Sequence, residues 1–186
     1  MYLDSNDLTG GIPSWIGDLT ALERLALGSN SLIGQIPSSM SRLRLLELLD
    51  LANNTLTGSP PSFQEMSKLS FLDMSSCHLS GSLPVTLGGL SNIQTLLLND
   101  NRFTGSLVDL SQCSKLETLD VSNNLLTGQL PSSVFSLPAL RNLSVSLNCF
   151  LLDLPSSICT AHNLTGLYFI GIGVNERYIL IFIIQF

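Results

Sequence analysis

The sequence predicts a repeat solenoid of the α/β type, about seven coils of 23–24 residues with a parallel β-sheet on the concave side. Three observations predict it. An Asn recurs at near-constant spacing, leucines precede it at strand spacing, and a Gly and a Pro follow it at fixed offsets. The anchors are Asn6, Asn30, Asn54, Asn101, Asn124 and Asn148, with Cys77 in one slot, and their successive separations are 24, 24, 23, 24, 23 and 24 residues.

Each coil opens on a strand. Five and three residues before the anchor stand Leu25 and Leu27, Leu49 and Leu51, Leu72 and Met74, Leu96 and Leu98, Leu119 and Val121, and Leu143 and Val145. A spacing of two puts both side chains of a pair on one face of a short strand. A further apolar residue upstream (Leu22, Leu46, Leu69, Ile93, Leu116, Leu140) packs the turn that leads into it. One coil cannot bury these side chains alone; stacked coils bury them in a continuous core.

The anchor closes the bend after the strand. The bend strips backbone groups of partners, and an Asn amide can both donate and accept, so stacked anchors predict an internal ladder through Asn6, Asn30, Asn54, Cys77, Asn101, Asn124 and Asn148. Cys77, with its weak donor, is the poorer rung. Four residues after the anchor, Gly10, Gly34, Gly58, Gly81, Gly105 and Gly128 allow backbone angles that other residues resist, and only Leu152 breaks the series. Seven after it, Pro13, Pro37, Pro61, Pro84, Pro131 and Pro155 fix φ on the return leg; Val108 breaks the series.

The composite pattern L-x-x-L-x-L-x-x-N-x-L-T-G-x-I-P-S-x-[IL]-x-x-L, matched closely by NDLTGGIPSWIGDL and NSLIGQIPSSMSRL, resembles the plant-specific leucine-rich repeat. Such repeats form the extracellular parts of plant receptor-like kinases and receptor-like proteins, and secreted polygalacturonase inhibitors. The resemblance covers residues 1–165 and leaves 166–186 as a divergent apolar tail. It implies a right-handed superhelix with a second layer of short strands, and a function in binding a protein or peptide, with a co-receptor as a further partner. It also implies that the parent protein sits at the plasma membrane facing the cell exterior. Fold does not choose the ligand; residues do.

On the concave side the residues alternating with the core leucines face outward. Asp50, Asp73 and Asp120 are read first as what this repeat carries by default. Phe71, Thr95, Leu97 and Asn99 depart from that default on two neighbouring strands, and an exposed aromatic and an exposed Leu are what anchors a partner. The candidate contact set is Phe71, Asp73, Thr95, Leu97, Asn99, Thr118 and Asp120, spread over the third to sixth coils. Asn53, Asn142 and Asn163 head N-x-[ST] sequons and are glycosylation candidates. The four cysteines do not read as a disulfide framework, and pairing of Cys149 with Cys159, which lie in one coil, stays open; no C-x-x-C occurs, so no zinc or redox site is expected.

Composition excludes other classes. The chain of 186 residues is 45% hydrophobic and 12% charged, and fourteen acidic against eight basic residues give a net charge of −6. The cations are scattered, which argues against a nucleic-acid partner. Two histidines, His78 and His162, and no nucleophile, metalloprotease or phosphate-loop motif argue against catalysis; kinase activity would need a domain outside this chain. No cofactor or metal is expected. No run of about 18 apolar residues suggests a membrane span, and MYLDSNDLTG has no signal-peptide character. The start in mid-repeat and the tail IGIGVNERYILIFIIQF point to a fragment or truncated product and to poor solubility of an uncapped end. Two rival readings stay open at this point: a secreted inhibitor of a cell-wall-degrading enzyme, and a product with no independent function.

Overall fold

Two parallel sheets form the two sides of the solenoid in a computed structural model, which describes residues 1–151 and 163–168. In the first coil a bridge between Tyr2 and Ala26 begins the concave side, and β1 (Thr9–Gly11) begins the outer one. The second coil supplies β2 (Arg24–Ala26) and β3 (Ser31–Gln35), the third β4 (Leu48–Asp50) and β5 (Thr55–Gly58). The fourth supplies β6 (Phe71–Asp73) and β7 (His78–Ser82), the fifth β8 (Thr95–Leu97) and β9 (Arg102–Gly105). The sixth supplies β10 (Thr118–Asp120) and β11 (Leu125–Gly128), the seventh β12 (Asn142–Ser144) and β13 (Cys149–Phe150). A last concave strand, β14 (Gly166–Tyr168), pairs with β12.

The even-numbered strands make the concave sheet and the odd-numbered ones the outer sheet, each in chain order. The concave strands pair in register, so equivalent residues of successive coils lie side by side. The outer strands stagger by two positions per coil; Ile33, three after its anchor, lies opposite Thr55, one after its own. Between the sheets the leucines named above form one core. Leu25, Leu49, Leu72, Leu96, Leu119 and Leu143 are all at most 1% exposed, joined by Phe63, Phe103 and Phe150. Full burial of one such side chain contributes roughly 1.5–3 kcal/mol.

The anchor side chains bond within their own coil and to the coil before. Asn54 Nδ2 donates to the carbonyls of Leu51 (3.0 Å), Ala52 (3.1 Å) and, one coil back, Leu27 (3.1 Å), while its Oδ1 accepts from Leu32 N–H (2.9 Å). Asn101, Asn124 and Asn148 repeat this set. Cys77 makes a weaker set, with Sγ 3.5 Å from the Leu51 carbonyl and the backbone N–H groups of Asn54 and Leu56 turned toward it. The residue before each anchor adopts positive φ, between 51° and 56°, at Ser5, Ser29, Asn53, Ser76, Asp100, Asn123 and Leu147. Ser, Asn and Asp suit that conformation, and Leu147 does not.

Coil length decides the shape of the return leg. The 24-residue coils that start at Asn6, Asn30, Cys77 and Asn124 each carry a five-residue 3₁₀ turn, at Ser14–Asp18, Ser38–Arg42, Val85–Gly89 and Ser132–Ser136. Each follows its Pro, whose φ lies between −74° and −59°. The two 23-residue coils, from Asn54 and from Asn101, lack the extra residue and return through simple turns. These turns stack tightly: a Cβ on Gly17 would run into the Ser39 carbonyl, and one on Gly88 into that of Asp109.

Candidate functional site

The in-register sheet turns single sequence positions into rows. One row reads Leu48, Phe71, Thr95, Thr118, Asn142 and the next reads Asp50, Asp73, Leu97, Asp120, Ser144, Tyr168. Of the candidate contact residues, six therefore meet as two adjoining triplets, Phe71–Thr95–Thr118 and Asp73–Leu97–Asp120, all partly exposed. Asn99 stands apart. It lies beyond the strand and its Nδ2 donates to Asp100 Oδ2 at 2.6 Å, and Asn123 holds the other oxygen of Asp100 at the same distance. The positions two before the anchor also differ from a simple alternation. Ala52, Ser75 and Ser146 are 5%, 8% and 7% exposed, so these three are covered, while Asn99 and Ser122 in the same row stay partly exposed.

The aspartates have a local task. Asp50 Oδ1 accepts from Ala52 N–H (3.0 Å), Asp73 Oδ1 from Ser75 N–H (2.8 Å), and Asp120 Oδ1 from both the N–H (2.9 Å) and hydroxyl (2.6 Å) of Ser122. Each carboxylate thus ties down the turn after its own strand. The second oxygens of Asp73 and Asp120 accept no hydrogen bond among the described residues. Burial pushes the Asp50 carboxyl above its usual range, opposed by the Ala52 N–H and reinforced by the charges of Asp73 and Asp4.

A cleft of about 410 Å³ opens on this face across β8, β10, β12 and β14. Leu97, Thr118, Asp120, Asn142, Ser144 and Tyr168 line it, over the backbones of Leu119 and Leu143. Tyr168 is 50% exposed. A Cβ on Gly166 would lie 3.1 Å from Asn142 Oδ1 and 3.2 Å from the Tyr168 ring, so glycine there leaves the ring its place. Three of these residues, Leu97, Thr118 and Asp120, belong to the expected contact set. Ser144 and Tyr168 do not, and Asn142 entered only as a sequon. The periodic pattern could have pointed to Tyr168, because it holds the same strand position as Leu97 and Asp120.

The remaining sequence candidates sort by position. Asn53, Asn142 and Asn163 are all exposed; Asn163 Nδ2 donates to the Pro138 carbonyl at 2.6 Å. Cys77 and Cys113 are buried free thiols, and burial, with Asp109 nearby, pushes Cys113 up to about 11. Cys159 and His162 lie outside the described residues, as does the tail after Tyr168. Among the described residues no three His, Cys, Asp or Glu side chains form a metal-binding group, and no helix is long and apolar enough to cross a membrane.

Family models of the leucine rich repeat match residues 1–56, 68–90 and 115–137. Comparison with curated proteins gives no match. Solved structures do match. The chain is 36% identical, with a TM-score of 0.86, to the ectodomain of the membrane receptor kinase GASSHO1/SCHENGEN3 from Arabidopsis thaliana in complex with CASPARIAN STRIP INTEGRITY FACTOR 2, over 90% of this chain and 20% of that one. It is 31% identical, with a TM-score of 0.86, to the Arabidopsis receptor kinase HAESA in complex with the peptide hormone IDA and the co-receptor SERK1, over 92% of this chain and 29% of that one. A plant ice-binding protein shares the fold at 25% identity and a TM-score of 0.73, over 92% of this chain and 64% of that one. The chain thus spans between a fifth and a third of the length of these two receptor chains.

Proposed function

The chain belongs to the leucine-rich repeat family, and on that premise we propose that it is part of the extracellular ligand-sensing domain of a plant receptor kinase or receptor-like protein, binding a peptide on its concave face. The observation that carries this reading is the cleft on the concave sheet. It combines a partly exposed Leu97 and a half-exposed Tyr168 with hydroxyl, amide and carboxylate groups that can meet a peptide backbone and its side chains. The likeness to receptor ectodomains in complex with a peptide hormone supports the class of ligand, and the HAESA complex supports a co-receptor as a second partner. The chain is a binding scaffold, and any kinase activity belongs to a domain outside it. The parent protein on this reading faces the cell exterior at the plasma membrane.

The outer sheet is a weaker candidate face. Along it His78, Arg102 and Leu125 interrupt the Thr and Ser residues, so it offers no uniform surface of the kind an extended crystalline ligand such as ice would need. The test is a binding screen of secreted peptides on the full chain, against the double variant Phe71→Ala/Leu97→Ala. Peptides that bind should lose about tenfold in affinity when these two side chains go, a difference of about 1.4 kcal/mol. Unchanged affinity would remove the concave face from the binding role.

A further inference from the structure

The cleft also carries information about the chemistry of its ligand. Leu97 lies directly between Asp73 and Asp120 in the row across the sheet. Each carboxylate spends one oxygen on its own turn and turns the other to no partner among the described residues. With strands about 4.8 Å apart, the two acids stand roughly 10 Å from each other with an aliphatic floor between them. Glu117 adds a third acid at the start of β10, while the nearby cation is Arg141 at the start of β12. The other concave cation, Arg24, is engaged at the far end by Tyr2 (3.3 Å) and Glu47 (3.8 Å).

Building on the concave-face reading above, we propose that the cleft takes an extended peptide segment with a basic side chain laid over Leu97. The match is one of shape and charge together. A Lys or Arg is an apolar stem with a cationic head. Leu97 covers the stem, and the free oxygens of Asp73 and Asp120 receive the head on one side or the other. Tyr168, at the opposite wall, packs a side chain roughly four residues further along the peptide, and Thr118, Asn142 and Ser144 supply hydrogen-bonding groups along the backbone between. From β8 to β14 is about 14 Å, room for roughly four extended residues. An acidic side chain over Leu97 would meet like charge on both sides, from Asp73 and from Asp120.

Fluorescence polarisation on the full chain tests this with fluorescein-labelled peptides of alternating Ser and Leu that differ at one central position, arginine, norleucine or glutamate. The arginine peptide should bind at least about tenfold more tightly than the glutamate peptide, the scale of one charge-assisted hydrogen bond. In the double variant Asp73→Asn/Asp120→Asn that preference should vanish, so that the arginine and glutamate peptides bind alike. Asn keeps an Oδ1 acceptor for Ser75 and Ser122, so the turns should hold, and circular dichroism checks that they do. Tyr168→Ala should weaken all three peptides alike. A preference for glutamate, no preference, or an arginine preference that survives the double variant overturns the proposal and leaves the peptide-binding reading standing. Failure of all three peptides to bind overturns both.

Discussion

A single rung of the ladder shows how much one side chain does here. Asn101 donates to three carbonyls, those of Met74, Leu98 and Asn99, and accepts from Leu79 N–H. In the preceding coil Cys77 offers a 3.5 Å contact with the Leu51 carbonyl and a sulfur that is a weak acceptor for the nearby backbone N–H groups. Cys77→Asn should restore the missing bonds and raise unfolding free energy by about 1 kcal/mol or more, the net scale of buried hydrogen bonding. Urea unfolding measures it, and a fall in stability would mean that the site has adapted to the thiol. Asp50 makes the opposite case. Its carboxyl is raised above its ordinary value of 3.8, first by burial and then by Asp73 and Asp4. The folded state therefore holds the proton more tightly than the unfolded chain does. The group favours folding when protonated, at acid pH, and that contribution is lost as pH rises through the folded value. Asp50→Asn, which keeps an acceptor for Ala52 N–H, should stabilise the fold at pH 7 by less than about 1 kcal/mol after solvent screening. The gain should disappear below about pH 4, near the ordinary carboxylate value. Thermal melts at the two pH values decide it; an equal shift at both would rule out the charge as the cause. Asn142 has a different importance at this scale. A glycan on its sequon would stand inside the cleft, whereas one on Asn53 or Asn163 would not.

At the scale of the element, coil length and glycine placement fix how the turns stack. Gly17 and Gly88 sit in 3₁₀ turns pressed against the next coil, where a methyl group would meet backbone and not a movable side chain. Gly89, beside Gly88 in the same turn, has open space around its Cβ direction. Gly88→Ala should therefore cost about 2–3 kcal/mol or more as overpacking, and Gly89→Ala should cost little or slightly stabilise. Denaturation of the pair checks this, and equal effects would show that helix propensity and not stacking is at work. The contrast also marks what could be read in advance. The strands, the ladder and the positive-φ glycines follow from spacing alone, because each repeats in every coil. The alternation of 24 and 23 residues was equally visible, but its consequence, a 3₁₀ turn gained or lost, depends on contact with the neighbouring coil. The positive φ before each anchor was hidden in the changing identities Ser, Asn, Asp and Leu. The site was legible as far as the repeat was. Leu97, Thr118 and Asp120 stand out against the default pattern, while Tyr168 lies where the anchor slot holds Ile172 and the repeat signal has decayed.

For the molecule as a whole, the decisive property is that among the described residues every contacting pair of elements belongs to neighbouring coils. Stability in such an array is a sum of local terms and nearest-neighbour interfaces, with no long-range closure to enforce all-or-none behaviour. The cleft is built from four successive strands, β8 to β14, so it needs the fifth coil onward to be intact but does not need the first two. Removing core volume in the fifth coil should then separate the two parts. Leu96 is 1% exposed and lies between Leu72 and Leu119. Leu96→Ala should cost about 2–5 kcal/mol, most of it felt locally. Hydrogen exchange followed by mass spectrometry should show protection lost first in β6, β8 and β10 and retained longest in β2 and β4, because coils separated from the cavity keep their own interfaces. Peptide binding at the cleft should fall in step with protection of β8 and β10, ahead of any change in the first coils. A uniform loss of protection along the chain would instead make the solenoid a single cooperative unit, and the cleft would then be as stable as the whole fold.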